Sequence, residues 1–560
     1  MKGAGTMVAR GRPAGLGWTA ALALAAALGL AAPADALRVG TYNLTQYPGL
    51  ALATRQPLFR TIVPVLDVDV LLVQELNSVA GRDSFLTNVL NVVQPGEWAS
   101  TSPISLGAGE IGTIFYKPAK VAIPTVATIN VGGPRSVYFG VIQPVGYTSN
   151  AAWFRAYSIH LKAGGPATAD STTRRTEGTN LRTTLNDTFT GVVGVNFLIG
   201  GDSNFYGSYE GGYQRLVESQ LDNDGRSKDP LVGSFPFVPA NGAWHQNSGI
   251  ALAHTQCPCN TGCLGGFSGG GLDDRFDILL TSLSVQDGEG LDYVAQGSIT
   301  SGAYPFTFGN DGQHYNGDVN GGGFNNAVGI VVANALHDAS DHLPVAIVLQ
   351  LPAKISAPAT LALGTVIVGG GATLTLGNPA IPPADELTLS FTPPAGFTAP
   401  AGAQLVDAGT SGDFTIATAA GAPGPRSGDL AIASDDPDHP NVLVELSADV
   451  LDHAEASLDS VTATLAATVD FGEHTAGTFG DRETRVHNRG YDALQARLAL
   501  DAGVVTGGDG RFSIVGGFAP ALLAGVGQTY NLHFDDAGAT QDSTYEATLT
   551  FSSADEPLPG

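Results

Sequence analysis

The 560-residue sequence predicts a layered α/β or α+β core over residues 37–352 and all-β sandwich material from there to residue 560. Three observations carry that reading. In the first part, short apolar runs recur at irregular separations with helical or loop stretches between them. At Pro352 the texture changes to Ala, Gly, Thr, Pro and Asp, with period-two apolar alternation and few helix signals. Across the chain, 74 glycines and 33 prolines accompany plentiful Val and Thr, which favours strands and turns over long helical bundles.

Each element follows from its local pattern. Leu37-Arg-Val-Gly-Thr-Tyr-Asn43-Leu44 reads as a strand. Leu58, Phe59, Ile62 and Leu66 mark one face of a helix, and Val68 to Glu75 is a buried strand ending in polar residues. Further strands are expected at Gly112 to Tyr116, Phe154 to His160, Val195 to Ile199 and Phe276 to Leu280, and a last one begins near Val345. The chain is 43% hydrophobic and 14% charged, enough apolar material for several cores. Its net charge of −26 excludes a generic basic nucleic-acid coat and a polybasic membrane binder. Residues 353–560 hold 7 basic and 26 acidic side chains, so most of that charge is the solvated surface of the tail.

Residues 1–36 read as a signal peptide. Lys2, Arg10 and Arg12 form the basic region, Thr19 to Ala32 the apolar region, and Ala34-Asp35-Ala36 the cleavage site, with Leu37 as the first mature residue. No later run is long and apolar enough to span a bilayer, so a secreted or cell-surface protein is expected, without a transmembrane span after cleavage. The three cysteines, Cys257, Cys259 and Cys263, then imply one local disulfide and an odd thiol. A zinc site would need a fourth ligand; His254 is near, but the spacing matches no common zinc module.

The tail repeats itself. Leu363-Gly364 recurs as Phe471-Gly472, Phe414-Thr-Ile416 as Phe512-Ser-Ile514, and Leu430 to Ser434 as Leu549 to Ser553. This divides it into residues 353–452 and a second copy, 453–560, that lacks the match to the closing strand Val442 to Val450.

Asn43, Glu75, His160, Asp202 and Asn204 all fall at or just past the C-terminal end of an apolar strand, where a sheet can present polar chemistry without burying unpaired charge. With Asp277 and Ser340-Asp341-His342 they place hard oxygen donors beside two histidines. Mg²⁺ takes such carboxylate and carbonyl oxygens, and a histidine can accept the proton of an attacking water. Asp274 and Arg275 read as a local ion pair, and Gly309 to His314 as an ordinary Gly-rich loop with some chance of reaching the cleft.

In Thr41-Tyr-Asn43, Gln74-Glu75, Ile159-His160-Leu161, Gly201-Asp-Ser-Asn204, Phe276-Asp277-Ile278 and Ser340-Asp-His342-Leu-Pro-Val345, the chain resembles the endonuclease/exonuclease/phosphatase superfamily, the group of deoxyribonuclease I. The resemblance implies an α+β four-layer sandwich, two mixed β-sheets flanked by helices. It implies Glu75 as main metal ligand with Asn43 and Asp341 assisting, and Mg²⁺ as the cofactor, with Mn²⁺ or Ca²⁺ as alternatives. Asp202 and Asn204 would orient the water or a phosphate oxygen, or hold a second metal. His342 would be the general base oriented by Asp277, and His160 would steady the phosphate or act as general acid. Some relatives support that first histidine with a Glu near the position of Ile111; Glu110 is one residue off, and strand alternation would turn it to the other face. The tail resembles the immunoglobulin-like choice-of-anchor D repeats, which implies a spacer or an attachment to cell surface or matrix.

The expectation is therefore a secreted phosphodiesterase acting on extracellular nucleic acid. The alternatives are a sphingomyelinase-like or inositol-phosphate phosphoesterase and, in another class, a non-catalytic adhesion protein.

Overall fold

The computed structural model describes residues 36–167, 169–192, 195–233, 238–294 and 306–558. The expected signal peptide lies outside them, apart from Ala36. By its internal contacts the chain divides into two units, residues 1–351 with 381–383 and residues 352–380 with 384–560. No helix among the described residues is long and apolar enough to cross a membrane.

The first unit is α+β and holds two mixed sheets. Its principal elements are β1 (Leu37–Tyr47), α1 (Leu52–Leu66), β2 (Val70–Leu76), α2 (Val79–Phe85), β3 (Glu110–Gly112), β4 (Ile114–Tyr116), β5 (Val121–Ile129), β6 (Val137–Pro144), β7 (Phe154–His160), α3 (Ala169–Phe189), β8 (Asn196–Asp202), α4 (Gly211–Val217), β9 (Asp277–Ser282), α5 (Gly329–Ala339) and β10 (Val345–Gln350). In one sheet β10, β1, β2 and β4 are consecutive, with β1 parallel to β2 and antiparallel to β10. In the other, β9, β8, β7, β6 and β5 are consecutive, with β8 parallel to β7 and antiparallel to β9.

Period-two alternation explains the layers. Val39, Val70, Leu72 and Ile347 of one sheet meet Tyr138, Ala156, Leu198 and Leu279 of the other in a shared core. The opposite face of the first sheet, through Tyr42, Leu71, Val73 and Phe115, packs on α1, α2 and α5 at Phe59, Ile62, Phe85 and Leu336. The opposite face of the second, through Tyr157, Ile159, Phe197 and Ile278, packs on α3 and α4 at Leu181, Leu185 and Leu216. The succession is helices, sheet, sheet, helices. Gln74 joins the two sheets across the middle: its Nε2 donates to Ser158 Oγ at 2.9 Å and to Thr41 Oγ1 at 3.0 Å.

Several sequence expectations are revised. The run Gly112 to Tyr116 is divided: β3 ends at Gly112 and pairs with Ile104–Gly107 in a hairpin, while β4 starts at Ile114 in the first sheet. Helix α3 has no pattern-based forerunner because many of its buried positions are polar, among them Arg174, Glu177, Arg182 and Asn186. Arg275 does not pair with Asp274; its guanidinium grips buried Asp229 at 2.7 and 3.1 Å. The Gly309–His314 loop is held by its own polar groups, Asp311 accepting from Gln313 N and Asn326 N and meeting His314 Nδ1 at 2.8 Å. Cys259 and Cys263 form a disulfide, Cys257 is a buried free thiol, and His254 faces the carbonyls of Leu272 and Trp244.

The second unit contains two β modules, each built of two sheets. In the first, the strand Gly371–Asn378 pairs with Thr410–Thr418, which also pairs with Phe397–Thr398; Leu387–Thr392 pairs with Gln404–Val406 and with Gly424–Ser434. In the second, Arg482–Asn488 pairs with Gln528–Phe534, which also pairs with Phe512–Ile514; Leu498–Gly507 pairs with Ala521–Leu523 and Ala547–Asp555. This connectivity corrects one repeat match: the counterpart of Phe512–Ile514 is Phe397–Thr398, and the strand bearing Phe414 corresponds to Gln528–Phe534. An element missed in the sequence ties each module. Asn378 Nδ2 donates to the carbonyls of Asp385 and Val406, and Asn488 Nδ2 to those of Ala496 and Leu523. The described residues contain no counterpart of Asn441–Leu451 in the second module.

Glu177 yields a stability prediction. It is fully buried, its Oε1 has no hydrogen-bond partner among the described residues, and burial pushes its carboxyl up to about 6. A carboxyl whose folded pKa is raised binds a proton more readily in the native state, so its contribution falls as pH rises through the window from about 4.5 to 6. Glu177→Gln should therefore be more stable than the parent at neutral pH by roughly 2 kcal/mol. The difference should vanish below pH 4, as read by urea unfolding across that range. A pH-independent difference would exclude this titration as its cause.

Candidate active site

Strand register assembles the site. Asp202 is the last residue of β8 and pairs directly with His160, the last of β7, on one side and with Asp277, the first of β9, on the other. Asn43 is near the end of β1 and Glu75 near the end of β2, and Ser340-Asp341-His342 lies between α5 and β10. All eight residues expected from sequence stand at one end of the two sheets, and seven of them (Asn43, His160, Asp202, Asn204, Asp277, Asp341 and His342) are buried.

Two positions need unusual backbone. By alternation Glu75 would follow Leu71 and Val73 toward the helices, but its φ is +58°, and the β1–β2 register shifts between Asn43 and Tyr47. That left-handed turn swings the carboxylate to the site, at a cost of roughly 1–3 kcal/mol for a non-glycine residue. Gly201 has φ +139°, and a Cβ there would meet Ile159 O at 2.1 Å, so only glycine lets Asp202 sit beside His160.

Asp202 is the centre. Its Oδ2 lies 3.2 Å from Asn43 Nδ2, 3.5 Å from His160 Nε2 and 3.8 Å from His342 Nε2, and its Oδ1 accepts Asn204 N at 3.0 Å. Burial pushes its carboxyl up, against the pull of both imidazoles. His342 Nδ1 meets Asp277 Oδ2 at 2.7 Å. Burial alone would favour the neutral His342 ring, but Asp277, with Asp202 and Asp341 behind it, raises its pKa well above the ordinary value. For His160, burial is likewise outweighed, by Glu110 and Asp202, and the pKa rises.

Glu110 corrects the sequence reading. Its Oε2 lies 3.0 Å from His160 Nδ1, and its Oε1 accepts from Arg135 Nε at 2.5 Å. The hairpin before it is irregular: Gly107, Ala108 and Gly109 all have positive φ, and the register slips between Ser105 and Gly107. That irregularity breaks the alternation and turns Glu110, not Ile111, inward.

Glu75 Oε1 accepts from Asn43 Nδ2 and Oε2 from Gln46 N, both at 3.0 Å. Glu75, His160 and Asp202 offer ligand atoms within 4.8 Å of one another, so acidic and histidine groups able to hold a divalent metal are in place. The donors fit a hard cation, since most are carboxylate oxygens. Asn43 presents its amide nitrogen to those carboxylates while its Oδ1 accepts from Thr45 N at 2.9 Å, so a ligand role requires the amide to turn over. Asp341 Oδ1 lies 3.9 Å from His342 Nε2, the same nitrogen that faces Asp202, and is held by Thr45 Oγ1, while Oδ2 accepts from Ser268 N at 2.8 Å.

Residues that the sequence reading missed hold these parts. Thr45 anchors Asp341, and Gln256 Nε2 lies 2.8 Å from His342 Nε2. Arg55 is buried and donates to the carbonyls of Leu44, Thr45, Leu50 and Ala339, clamping the end of β1 to the end of α5, just ahead of Ser340. Phe59 and Phe267 rings lie against its guanidinium. An Arg spaced along the first helix carries no motif, so nothing in the sequence singles it out. Beside Glu75 opens a cavity of about 410 Å³, with Asn77, Glu110 and Arg135 in its wall.

No family model and no curated protein matches the chain. Among solved structures it is similar to a Bacteroides thetaiotaomicron mannosyl-6-phosphatase, at 15% identity over 56% of this chain and 99% of that one, with a TM-score of 0.36. A truncated Caenorhabditis elegans TDP2 matches at 15% identity, 56% and 97% coverage and TM-score 0.35. D. rerio TDP2 complexed with a single-strand DNA product matches at 13%, 56% and 99%, with TM-score 0.34. Likeness at this level says nothing of this chain's chemistry, which rests on the geometry above.

Replacing Arg55 by Met should cost about 3–5 kcal/mol, because several buried carbonyls lose their donor together. Lys, with one point charge and no fork, should recover part of it. Denaturant unfolding of the two variants tests this; equal stability of R55M and the parent would remove Arg55 from the scaffold of the site.

Proposed function

We propose that the chain is a secreted, Mg²⁺-dependent phosphodiesterase that hydrolyses nucleic acid by in-line attack of water. The observation that carries this is the paired arrangement around Asp202: two imidazoles approach the same buried carboxylate oxygen, each backed by its own acid, Asp277 or Glu110. Phosphoester hydrolysis needs a group to take a proton from water and another to bear the charge developing on phosphorus.

Glu75, with Asn43, Asp202 and Asp341 around it, would hold the metal, which when bound polarises a phosphoryl oxygen and acidifies water. The remaining work belongs to the side chains. His342, with Nδ1 fixed on Asp277 and Nε2 toward Asp202, would take the proton of the water in its neutral form, which the positive charge of a bound cation would favour against the surrounding carboxylates, and Asp277 stabilises the imidazolium that results. His160, held by Glu110, donates from Nε2 to a phosphate oxygen. Asn204, whose backbone N–H fixes Asp202, orients the water or the phosphate. Gln256, beside the working nitrogen of His342, donates to a non-bridging oxygen once substrate enters. Arg135 gives the adjoining cavity a cation for a neighbouring phosphate. The Cys259–Cys263 disulfide and the expected leader support secretion. The tail modules, read as immunoglobulin-like choice-of-anchor repeats, act as spacer or attachment.

Two experiments check the reading. Glu75→Ala should lower kcat on duplex DNA or a phosphodiester model substrate on the order of 10³-fold or more, with the melting curve unchanged, and a chelator should abolish parental turnover. Parental activity in that variant would end the assignment. Gln256→Ala should lower kcat on the order of 10-fold, and Gln256→Glu further, because a carboxylate there repels the phosphate. A Gln256→Glu enzyme as active as Gln256→Ala would mean that this side chain does not touch substrate.

A further inference from the structure

Residues 257–271 form a strap whose tip holds a carboxylate that the proposed chemistry uses. Its base is closed by Cys257 N, which donates to Gly271 O at 2.7 Å. At the tip, Ser268 N donates to Asp341 Oδ2 at 2.8 Å, and the Phe267 ring lies 5.1 Å from the Arg55 guanidinium. Thr45 Oγ1 holds the other oxygen of Asp341, so among the described residues the orientation of Oδ2 rests on one backbone N–H of an exposed residue.

That N–H is kept in place from a distance. Residues 264–270 are exposed or half-buried and four of the seven are glycine, so the stretch has much conformational freedom to lose when it is fixed. The earlier part of the strap is anchored: Val319 N donates to Pro258 O at 2.8 Å, and Asp318 Oδ1 accepts from Asn260 N at 2.6 Å and Thr261 N at 2.9 Å. The Cys259–Cys263 disulfide carries that anchorage to the later part. The Cys263 sulfur then backs the tip, since a Cβ added at Gly269, beside Ser268, would lie 3.3 Å from it. Anchor, disulfide, Gly269, Ser268 and Asp341 form one chain of contacts. Gln256 is fixed outside it: its N donates to Asp274 O, and its O accepts from Asp273 N and Asp274 N. Its contact with His342 therefore does not need the disulfide, whereas the contact with Asp341 does.

We propose that the strap is a redox-gated positioning element: with the Cys259–Cys263 bond formed, Ser268 N–H holds Asp341 toward the metal, and with the bond reduced Asp341 is free to turn away. The inference rests on the metal-dependent hydrolysis proposed above. Reduction is a two-electron step in which a dithiol gives two electrons and two protons to the S–S bond, leaving thiols at Cys259 and Cys263 and becoming a disulfide itself. Transfer in the reverse direction, to a disulfide oxidant, closes the strap. A reducing cytosol keeps such a bond open and an oxidising exterior closes it, so the chain has low activity before export and gains it afterwards. Ser268 is a positioning residue through its backbone and does not touch substrate.

The test uses the full chain, oxidised and after treatment with dithiothreitol, with the double variant Cys259→Ser/Cys263→Ser as a chain that cannot form the bond. Hydrogen exchange in residues 264–270, read by mass spectrometry, should rise on the order of 10-fold or more on reduction, while β1 and β10 keep their protection. Mn²⁺ affinity, read by isothermal titration, should fall on the order of 10-fold in the reduced and double-variant chains, and kcat on a phosphodiester model substrate by a similar factor, with KM little changed. Ser268→Pro, which removes the N–H, should show the same losses with the disulfide intact, and Ser268→Ala, which keeps it, should recover the parent's values. Equal Mn²⁺ affinity in the oxidised and reduced chains, or a Ser268→Ala chain as impaired as Ser268→Pro, overturns the proposal. A parent chain that binds Mn²⁺ but hydrolyses no phosphodiester would instead refute the activity proposed above, and exchange and Mn²⁺ affinity would still decide the strap.

Discussion

Asp202 is 2% exposed at the end of a strand buried on both faces, and a charge there is tolerable only with partners already in place. The strand register supplies them, because the rung that carries Asp202 also carries His160 and Asp277. Asp277 bears on Asp202 as a like charge and helps hold its carboxyl up, but its Oδ2 also meets His342 Nδ1, which brings the second imidazole to the same carboxylate. The requirement then spreads outward. His160 needs Glu110, Glu110 takes Arg135, and the loop bearing His342 needs Ser340, whose Oγ donates to Asn43 O at 2.6 Å. Arg55 closes the circuit by binding carbonyls at both ends of that contact.

The same constraint accounts for the irregular backbone around the site. A regular β2 would send Glu75 toward α1, and a regular hairpin would send Glu110 away from His160. In both places positive φ defeats alternation and delivers a carboxylate to the polar end of the sheets. Glu75, Glu110, Asp202, Asp277 and Asp341 thereby gather around two imidazoles, with Arg135 at the edge and Arg55 beneath. Such a surplus of anionic oxygen suits a cation far better than it suits a bare phosphate, so the net charge of −26 is compatible with the proposed phosphoester chemistry when a cation stands between them.

Much of this was legible in the sequence because strands announce themselves twice, by alternation and by the polar residue at which alternation stops. β7 spans the expected Phe154 to His160, and β2 ends one residue past the expected Glu75. Helix α3 was not legible, since its inward face carries Arg174, Glu177 and Arg182, which form ion pairs and backbone contacts that hydrophobic periodicity does not record. Glu110 was misread for the converse reason. The expectation assumed a regular strand, and the three positive-φ residues before it make the hairpin irregular. Arg55, Thr45 and Gln256 act through contacts between segments far apart in sequence, and no local pattern encodes those. In the tail, similarity of short strings misassigned Phe512–Ile514, whereas the pairing of strands and the shared asparagine at 378 and 488 fix the correspondence.

The two imidazoles at Asp202 are not equivalent, and their surroundings decide which does what. Glu110 divides its charge between His160 and the Arg135 guanidinium, so Glu110 compensates His160 only in part and Asp202 supplies the rest. Asp277 has no such rival among the described residues: Oδ2 faces His342, and Oδ1 is buried without a hydrogen-bond partner. An unshared carboxylate stabilises its imidazolium more than a shared one does. In the proposed hydrolysis, the ring that gains a proton is therefore better placed on Asp277, and the ring that holds charge toward phosphate is better placed on Glu110. Position reinforces the division, since Glu110 and Arg135 open onto the cavity beside Glu75, while Asp277 lies against the closed loop that carries Gln256 and the disulfide. In the proposed reaction, then, the side of the site toward Glu110 and Arg135 is the open one, and the proton is taken up by His342 on the enclosed one.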